Sequence, residues 1–178
     1  MLGTVAAGRG PAVITLVLGG ARSGKSAVAE QLVRRHPDPV TYVATMVLGD
    51  DPDLAARVAL HRQRRPPAWA TMEAGSHLAD SLRDLTGTAL VDSLGPWLSA
   101  QPAMAVDAGA LCSALVERHG DSVVVSDEVG MGVHPSTAAG RQFRDALGSL
   151  NQAVAMVADR AYLVVAGRAL PLAAVTEL

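Results

Sequence analysis

The sequence has only one cysteine, Cys112, and only one lysine, Lys25, among its 178 residues. A single cysteine cannot form a disulfide within the chain, which favours a reducing, cytoplasmic location. No apolar run approaches the roughly 18 residues that a membrane-spanning helix needs. The net charge is −2, so the charge balance gives no reason to expect a nucleic-acid partner. Together these absences point to a globular protein that acts on small molecules.

The one lysine lies in a pattern that binds phosphate. Residues 19–26 match G-x-x-x-x-G-K-[ST], the phosphate-binding loop or P-loop. An apolar, strand-like segment (13–18) precedes the pattern and a helical segment (27–33) follows it, as a P-loop requires. The other 14 of the 15 Lys and Arg residues are arginine. The only lysine ammonium group in the sequence therefore lies where a phosphate-binding loop needs a compact cation. The predicted nucleotide-binding residues here are Gly19, Gly20, Ala21, Arg22, Ser23, Gly24, Lys25 and Ser26.

The P-loop also predicts roles for individual side chains. Lys25 would reach the β- and γ-phosphates of a nucleoside triphosphate, and the Ser26 hydroxyl would bind Mg²⁺. Asp92 ends an apolar strand, the usual place for the carboxylate that supports this metal ion. Two alternatives remain open at this point, because Asp127 and Glu128 follow another buried strand, and Asp92 would also suit a turn or helix cap.

Strand-like and helical segments alternate along the whole chain. Strands are predicted near 13–18, 40–45, 69–73, 88–92, 122–126 and 162–166, and helices near 27–35, 53–65, 76–85, 106–118 and 137–158. This order predicts an α/β fold of the P-loop NTPase type (RecA-like), with a mostly parallel sheet and helices on both faces. We expect a mobile tail over residues 1–11 and a single catalytic nucleotide-binding domain over residues 12–178.

A second cluster of candidate residues lies on a predicted helix. Asp53, Arg57 and His61 are spaced four apart, so they share one helical face, and more arginines follow up to residue 65. A solvated basic face explains this pattern as well as a binding site does. In a site, like charge would keep the imidazole neutral and able to act as base or covalent nucleophile. His134, in a Gly-rich loop, is its competitor for that role.

The order of several motifs makes the chain resemble a known enzyme family. These are GGARSGKS (19–26), YVAT (42–45), AARVALHR (55–62), EVGMGVHP (128–135) and GRQFRD (140–145). Over residues 13–170 the chain resembles the bifunctional adenosylcobinamide kinase / adenosylcobinamide-phosphate guanylyltransferase family of cobalamin biosynthesis. It departs from the family pattern at Asp127, where the family usually has asparagine, and at Arg64, where glycine is frequent.

The resemblance implies two reactions. The first phosphorylates adenosylcobinamide with ATP or GTP. The second transfers GMP from GTP to adenosylcobinamide phosphate through a GMP–histidine intermediate, giving adenosylcobinamide-GDP and pyrophosphate. His61 matches the guanylylated histidine, Mg²⁺ is the implied metal ion, and a homotrimer is the implied assembly. Beyond the P-loop, the nucleotide-binding positions carried over are Thr45, Met46, Val47, Arg62, Gln63, Arg64, Arg65, Glu73 and Asp92.

Two other functions remain as alternatives to the bifunctional enzyme. One is a P-loop kinase of small molecules without guanylyltransferase activity. The other is a non-enzymatic GTP-binding switch, which would retain GTP or GDP tightly. A switch gives no role to a histidine flanked by arginines, whereas the enzyme would form a covalent GMP adduct on it.

Overall fold

A computed structural model describes residues 12–36, 39–46 and 65–174. The predicted tail (1–11) and the predicted helix near 53–65 lie outside the described residues, apart from Arg65 at the end of that helix. Val47, His61, Arg62, Gln63 and Arg64 also lie outside them, so their predicted roles remain predictions.

The described residues form strands and helices in the alternating order that the sequence predicts. The strands are β1 (Ile14–Gly19), β2 (Val40–Ala44), β3 (Ala70–Glu73), β4 (Thr88–Asp92), β5 (Ser122–Asp127), β6 (Arg160–Val165) and β7 (Arg168–Leu172). The α-helices are α1 (Lys25–Val33), α2 (Leu78–Arg83), α3 (Leu94–Ser99), α4 (Ala108–Glu117) and α5 (Ala138–Val157). A short 3₁₀ turn, Pro102–Met104, lies between α3 and α4.

The strands make one sheet in the order β3-β2-β4-β5-β1-β6-β7. All neighbouring strands are parallel except β6 and β7, which pair antiparallel. The predicted α/β fold with a mostly parallel sheet is therefore confirmed. The parallel order brings the carboxyl ends of β3, β2, β4, β5 and β1 to one edge, where ligands of such sheets bind.

Helices cover both faces of this sheet. Helix α1 packs on one face through Ala29 and Val33, against a cluster that includes Val17, Tyr42 and Leu90. Helices α2, α3, α4 and α5 cover the opposite face and bury apolar side chains such as Leu98. The central strands are buried on both sides, which explains their nearly continuous apolar sequences.

Two elements differ from the prediction. The strand predicted at 162–166 runs from Arg160 to Val165 and continues into an unpredicted hairpin with β7. Ala166 and Gly167 both have positive φ (51° and 74°), as a tight two-residue hairpin turn requires. The second difference is α3, which is short and follows β4 directly; its six residues are too few to give a helical periodicity in the sequence.

A buried arginine ties together the loops that precede β4 and β5. Arg118 is 3% exposed. Its guanidinium donates hydrogen bonds to the carbonyls of Gly87 (2.8 Å) and Asp121 (2.7 Å) and to Ser122 Oγ (2.9 Å). The two loops also touch directly, because a Cβ added at Gly120 would overlap the carbonyl oxygen of Gly87. One cation thus satisfies several carbonyl groups at the amino edge of the sheet.

We predict that Arg118→Ala lowers the free energy of unfolding by about 3 kcal/mol, because it leaves buried carbonyl groups without donors. Urea unfolding measures this loss. The matched control is Arg83→Ala, which removes a surface pair with Asp80 (2.8 Å) and should cost less than about 1 kcal/mol. Equal losses in the two variants would contradict a structural role for Arg118.

Candidate active site

The P-loop links the end of β1 to the start of α1 and has little freedom to move. Gly24 has φ +93°, a conformation that favours glycine. A Cβ at Gly19 would lie 2.5 Å from Ser23 Oγ and 2.8 Å from the Val164 carbonyl oxygen, so a larger residue would not fit. On the outer side, the Gly167 N–H donates to the Ser23 carbonyl at 2.7 Å. The β6–β7 hairpin therefore supports the loop from behind.

Lys25 begins α1 and turns its ammonium group toward the neighbouring strand. Its Nζ lies 2.7 Å from Asp127 Oδ1 and 3.5 Å from the Gly20 carbonyl oxygen. The side chains of Lys25 and Asp127 are 14% and 26% exposed, so the pair lies at the rim of the site and a ligand can reach it. An ion pair at this partial burial orients the ammonium more than it stabilises the fold.

The contacts of Asp92 differ from those of its two rivals for the predicted metal-supporting role, Asp127 and Glu128. Ser26 Oγ donates to Asp92 Oδ1 at 3.2 Å, while the hydroxyl of Tyr42 donates to Oδ2 at 3.0 Å. Glu128 instead accepts the backbone N–H of Gly130 at 3.0 Å, and Asp127 is paired with Lys25 as described above. The pair formed by Ser26 and Asp92 fits Mg²⁺ because hard oxygen ligands beside bound phosphates are what this ion prefers.

Among the residues that the structure describes, no group of three or more His, Cys, Asp or Glu side chains could hold a metal ion. None of the described helices is long and apolar enough to cross a membrane.

Tyr42 was not singled out as a site residue from the sequence, yet it joins two predicted ones. Besides its hydrogen bond to Asp92, its ring stacks under Arg65, whose guanidinium carbon lies 3.1 Å from the ring centroid. Burial raises the pKa of the Tyr42 phenol, the Asp92 carboxylate raises it further, and the Arg65 cation opposes both effects. The phenol therefore stays protonated and keeps donating to Asp92.

The remaining predicted residues are placed as follows. The buried Thr45 donates its hydroxyl to the Ser93 carbonyl at 2.6 Å, which ties the end of β2 to the end of β4. Met46 lines a cleft beside the P-loop. Glu73 is exposed at the end of β3, on the far side of β2 from Asp92. His134 is exposed, and its Nδ1 lies 2.9 Å from Nη1 of Arg144 on α5, at the surface.

Fold and site together define a P-loop α/β enzyme that acts on nucleoside triphosphates. Residues 15–172 match the family model described as cobinamide kinase / cobinamide phosphate guanyltransferase. The chain belongs to this family.

Curated relatives agree with that membership. The chain is 39% identical over 166 residues to the bifunctional adenosylcobalamin biosynthesis protein CobP of Pseudomonas aeruginosa, covering 88% of this chain and 95% of that protein. It is 37% identical over 177 residues to the protein CobU of Salmonella typhimurium, covering 87% and 97%, and 34% identical to CobU of Escherichia coli, with the same coverage. The chain is thus a bifunctional cobinamide kinase and cobinamide phosphate guanylyltransferase of cobalamin biosynthesis.

We predict that Tyr42→Phe lowers the free energy of unfolding by about 1 kcal/mol at neutral pH, because it removes the donor to Asp92. The pKa of Tyr42 is raised in the folded state, so this stabilisation is present below about pH 10 and is lost as the pH rises further. Urea unfolding from pH 7 to pH 11 measures the difference between the two proteins.

Tyr162→Phe is the matched control, since it removes the hydroxyl of a tyrosine on β6 instead. A Tyr42→Phe variant as stable as the wild type at pH 7, or a difference that grows above pH 10, would contradict the role given to the Tyr42–Asp92 hydrogen bond.

Proposed function

We propose that one P-loop serves both reactions: phosphorylation of adenosylcobinamide with ATP or GTP, and GMP transfer from GTP through a covalent GMP–His61 intermediate. The observation that carries the proposal is the arrangement around the loop. Lys25 and Ser26 stand side by side, with their polar atoms directed at Asp127 and Asp92, on two neighbouring strands. This arrangement surrounds a position suited to the terminal phosphates of a nucleotide.

In the kinase reaction, Lys25 leaves Asp127 for the β- and γ-phosphates and neutralises the charge that develops as the bridging bond breaks. An O–P bond forms between the cobinamide hydroxyl and Pγ, the nucleoside diphosphate leaves, and the hydroxyl proton passes to water. Ser26, oriented by Asp92, would hold Mg²⁺. When bound, this ion shields the phosphate oxygens.

In the guanylyl transfer, a ring nitrogen of His61 attacks the α-phosphorus of GTP. A P–N bond forms, the bond between Pα and the bridging oxygen breaks, and pyrophosphate leaves. A terminal oxygen of adenosylcobinamide phosphate then attacks the same phosphorus and releases the histidine, giving adenosylcobinamide-GDP. Arg62, Arg64 and Arg65 would neutralise the negative charge of the α-phosphate during this attack.

Arg65 supports the second half of this proposal. Its guanidinium is stacked on Tyr42, which in turn donates to Asp92. The segment that carries His61 therefore ends beside the residues that would hold the nucleotide. Only three residues lie between His61 and this anchor, which suits a histidine that works in the same site.

The setting of the enzyme is also part of the proposal. The lone Cys112 and the nucleotide substrates favour a cytoplasmic enzyme. The family resemblance favours a homotrimer and a single catalytic domain over residues 12–178.

We predict that Lys25→Ala lowers kcat of cobinamide phosphorylation by about 10³-fold, because a preorganised charge is lost at the transferring phosphoryl group. Lys25→Arg should restore only part of the rate, since the planar guanidinium of arginine does not replace the compact ammonium group of lysine. Transfer of ³²P from γ-labelled ATP to cobinamide measures the rate. Arg83→Ala on α2 is the control for loss of a cation far from the site. Turnover near that of the wild type in Lys25→Ala would show that the loop does not hold the reacting nucleotide.

We predict that His61 becomes covalently guanylylated. With α-labelled GTP and Mg²⁺, the denatured protein should retain label that is lost in mild acid and survives base, as a phosphoramidate does. Pyrophosphate should be released in equal amount, and γ-labelled GTP should leave nothing attached. His61→Ala should remove the adduct while cobinamide phosphorylation persists, because the kinase reaction uses Lys25 and Ser26 rather than a covalent histidine.

His134→Ala is the matched control for the labelling experiment, because His134 is the other candidate nucleophile and lies at the surface beside Arg144. It should label like the wild type. Label that persists in His61→Ala and disappears in His134→Ala would move the nucleophile to His134. An unlabelled wild type would contradict the covalent intermediate.

A further inference from the structure

A cleft opens beside the P-loop at the carboxyl edge of the sheet. Its volume is about 480 Å³. The residues that line it come from the end of β2, the end of β5, and helices α3 and α5: Met46, Gly95, Pro96, Ser99, Ala100, Asp127 and Phe143. Of these residues, only Asp127 and the predicted nucleotide-binding residue Met46 have a part in the roles described so far.

Asp127 belongs to both the cleft and the nucleotide site. Its Oδ1 is 2.7 Å from Lys25 Nζ, while its Oδ2 faces Gly95, where an added Cβ would lie only 2.5 Å away. The absence of a side chain at Gly95 therefore lets the Asp127 carboxylate pack directly against the backbone of α3. The backbone of Asp127 is fixed as well, because its carbonyl accepts a hydrogen bond from Asn151 Nδ2 at 3.0 Å. The carboxylate is thus held at the boundary between the cleft and the P-loop.

The chemistry of the walls limits what the cleft can hold. Met46, Pro96, Ala100 and Phe143 are apolar, and the Ser99 hydroxyl is already donated to the Pro96 carbonyl at 3.0 Å. No cationic side chain is among the lining residues, and the one charged group is an anion. A second nucleotide would be repelled there. A neutral arm that ends in a hydroxyl suits apolar walls with one hydrogen-bond acceptor beside the P-loop.

We propose that this cleft binds the alcohol that is phosphorylated in the kinase reaction, and that Asp127 accepts a hydrogen bond from the reacting hydroxyl. This assignment rests on the proposed function of the P-loop. The distance of 2.7 Å between Asp127 and Lys25 places the hydroxyl and the γ-phosphate on neighbouring groups. Asp127 thereby aims an oxygen lone pair at Pγ and raises the fraction of bound alcohol in a reactive geometry.

The first test narrows the cleft at an exposed position that has no part in the proposed nucleotide contacts. Ala100→Leu should raise KM for cobinamide at least about 10-fold, because the added side chain fills space that the arm needs. GTP affinity and the amount of GMP adduct should stay at wild-type values. Ala105→Leu, an exposed alanine outside the cleft lining, is the matched control and should change neither. Ser99→Leu narrows the cleft from the same side. It replaces Ala100→Leu if the Tm of Ala100→Leu is well below that of the wild type.

The second test examines the hydrogen bond. Asp127→Ala should lower kcat/KM for cobinamide by about 10-fold to 100-fold, the loss expected for one hydrogen bond to a charged group. Asp127→Asn keeps an oxygen acceptor and should recover most of that loss. GTP affinity, measured separately with a fluorescent GTP analogue, shows whether an effect arises from the freed Lys25 instead.

The outcomes separate this inference from the proposed function. An unchanged cobinamide KM in both Ala100→Leu and Ser99→Leu would overturn the cleft assignment. Equal losses in Asp127→Ala and Asp127→Asn would overturn the hydrogen bond. A wild-type protein that phosphorylates no cobinamide with either ATP or GTP would overturn the proposed function, and the cleft assignment with it.

Discussion

The position of β5 between β4 and β1 is the constraint on which the site depends. Parallel pairing places Asp127 at the end of β5 next to Gly19 at the end of β1, in register. The same pairing, on the other side of β5, puts Asp92 opposite Val125. Three neighbouring strands therefore bring the P-loop, the partner of Lys25 and the partner of Ser26 to one edge of the sheet. Buried strands fix these positions because any slip in register would turn apolar side chains out of the core.

The P-loop also depends on an element on its other side. Strand β6 pairs with β1, and the turn that follows β6 contacts the P-loop at Ser23. The same turn crowds the position of Gly24, because an added Cβ there would lie 3.1 Å from Gly167. The β6–β7 hairpin lies at the exposed end of the sheet, yet it helps to shape the phosphate cradle. A substitution in this surface turn should therefore change nucleotide binding, because the P-loop is packed too closely to absorb a shift of the turn.

The sequence predicts those parts of the site whose chemistry is written in consecutive residues. The P-loop is one such part, and Asp92 at the end of an apolar run is another. Tyr42 lies 50 residues from Asp92, and only the pairing of β2 with β4 reveals their contact. Gly95 matters because the Asp127 carboxylate packs against it, a contact that no local pattern encodes. Strand β6 is predicted, but its hairpin partner β7 is not, because a short, exposed strand with a proline, Pro171, lacks the alternating pattern typical of strands.

The two proposed reactions need access to different phosphorus atoms of the nucleotide, and the fold offers two approaches. Tyr42 and the stacked Arg65 belong to the face covered by α1. The cleft is bounded by α3 and α5, which cover the opposite face. An acceptor alcohol entering by the proposed cleft would meet the γ-phosphate beside Asp127, whereas Arg65, which follows His61 in the sequence, lies on the other face. Separate approaches let one nucleotide position serve both reactions, because neither nucleophile has to displace the other.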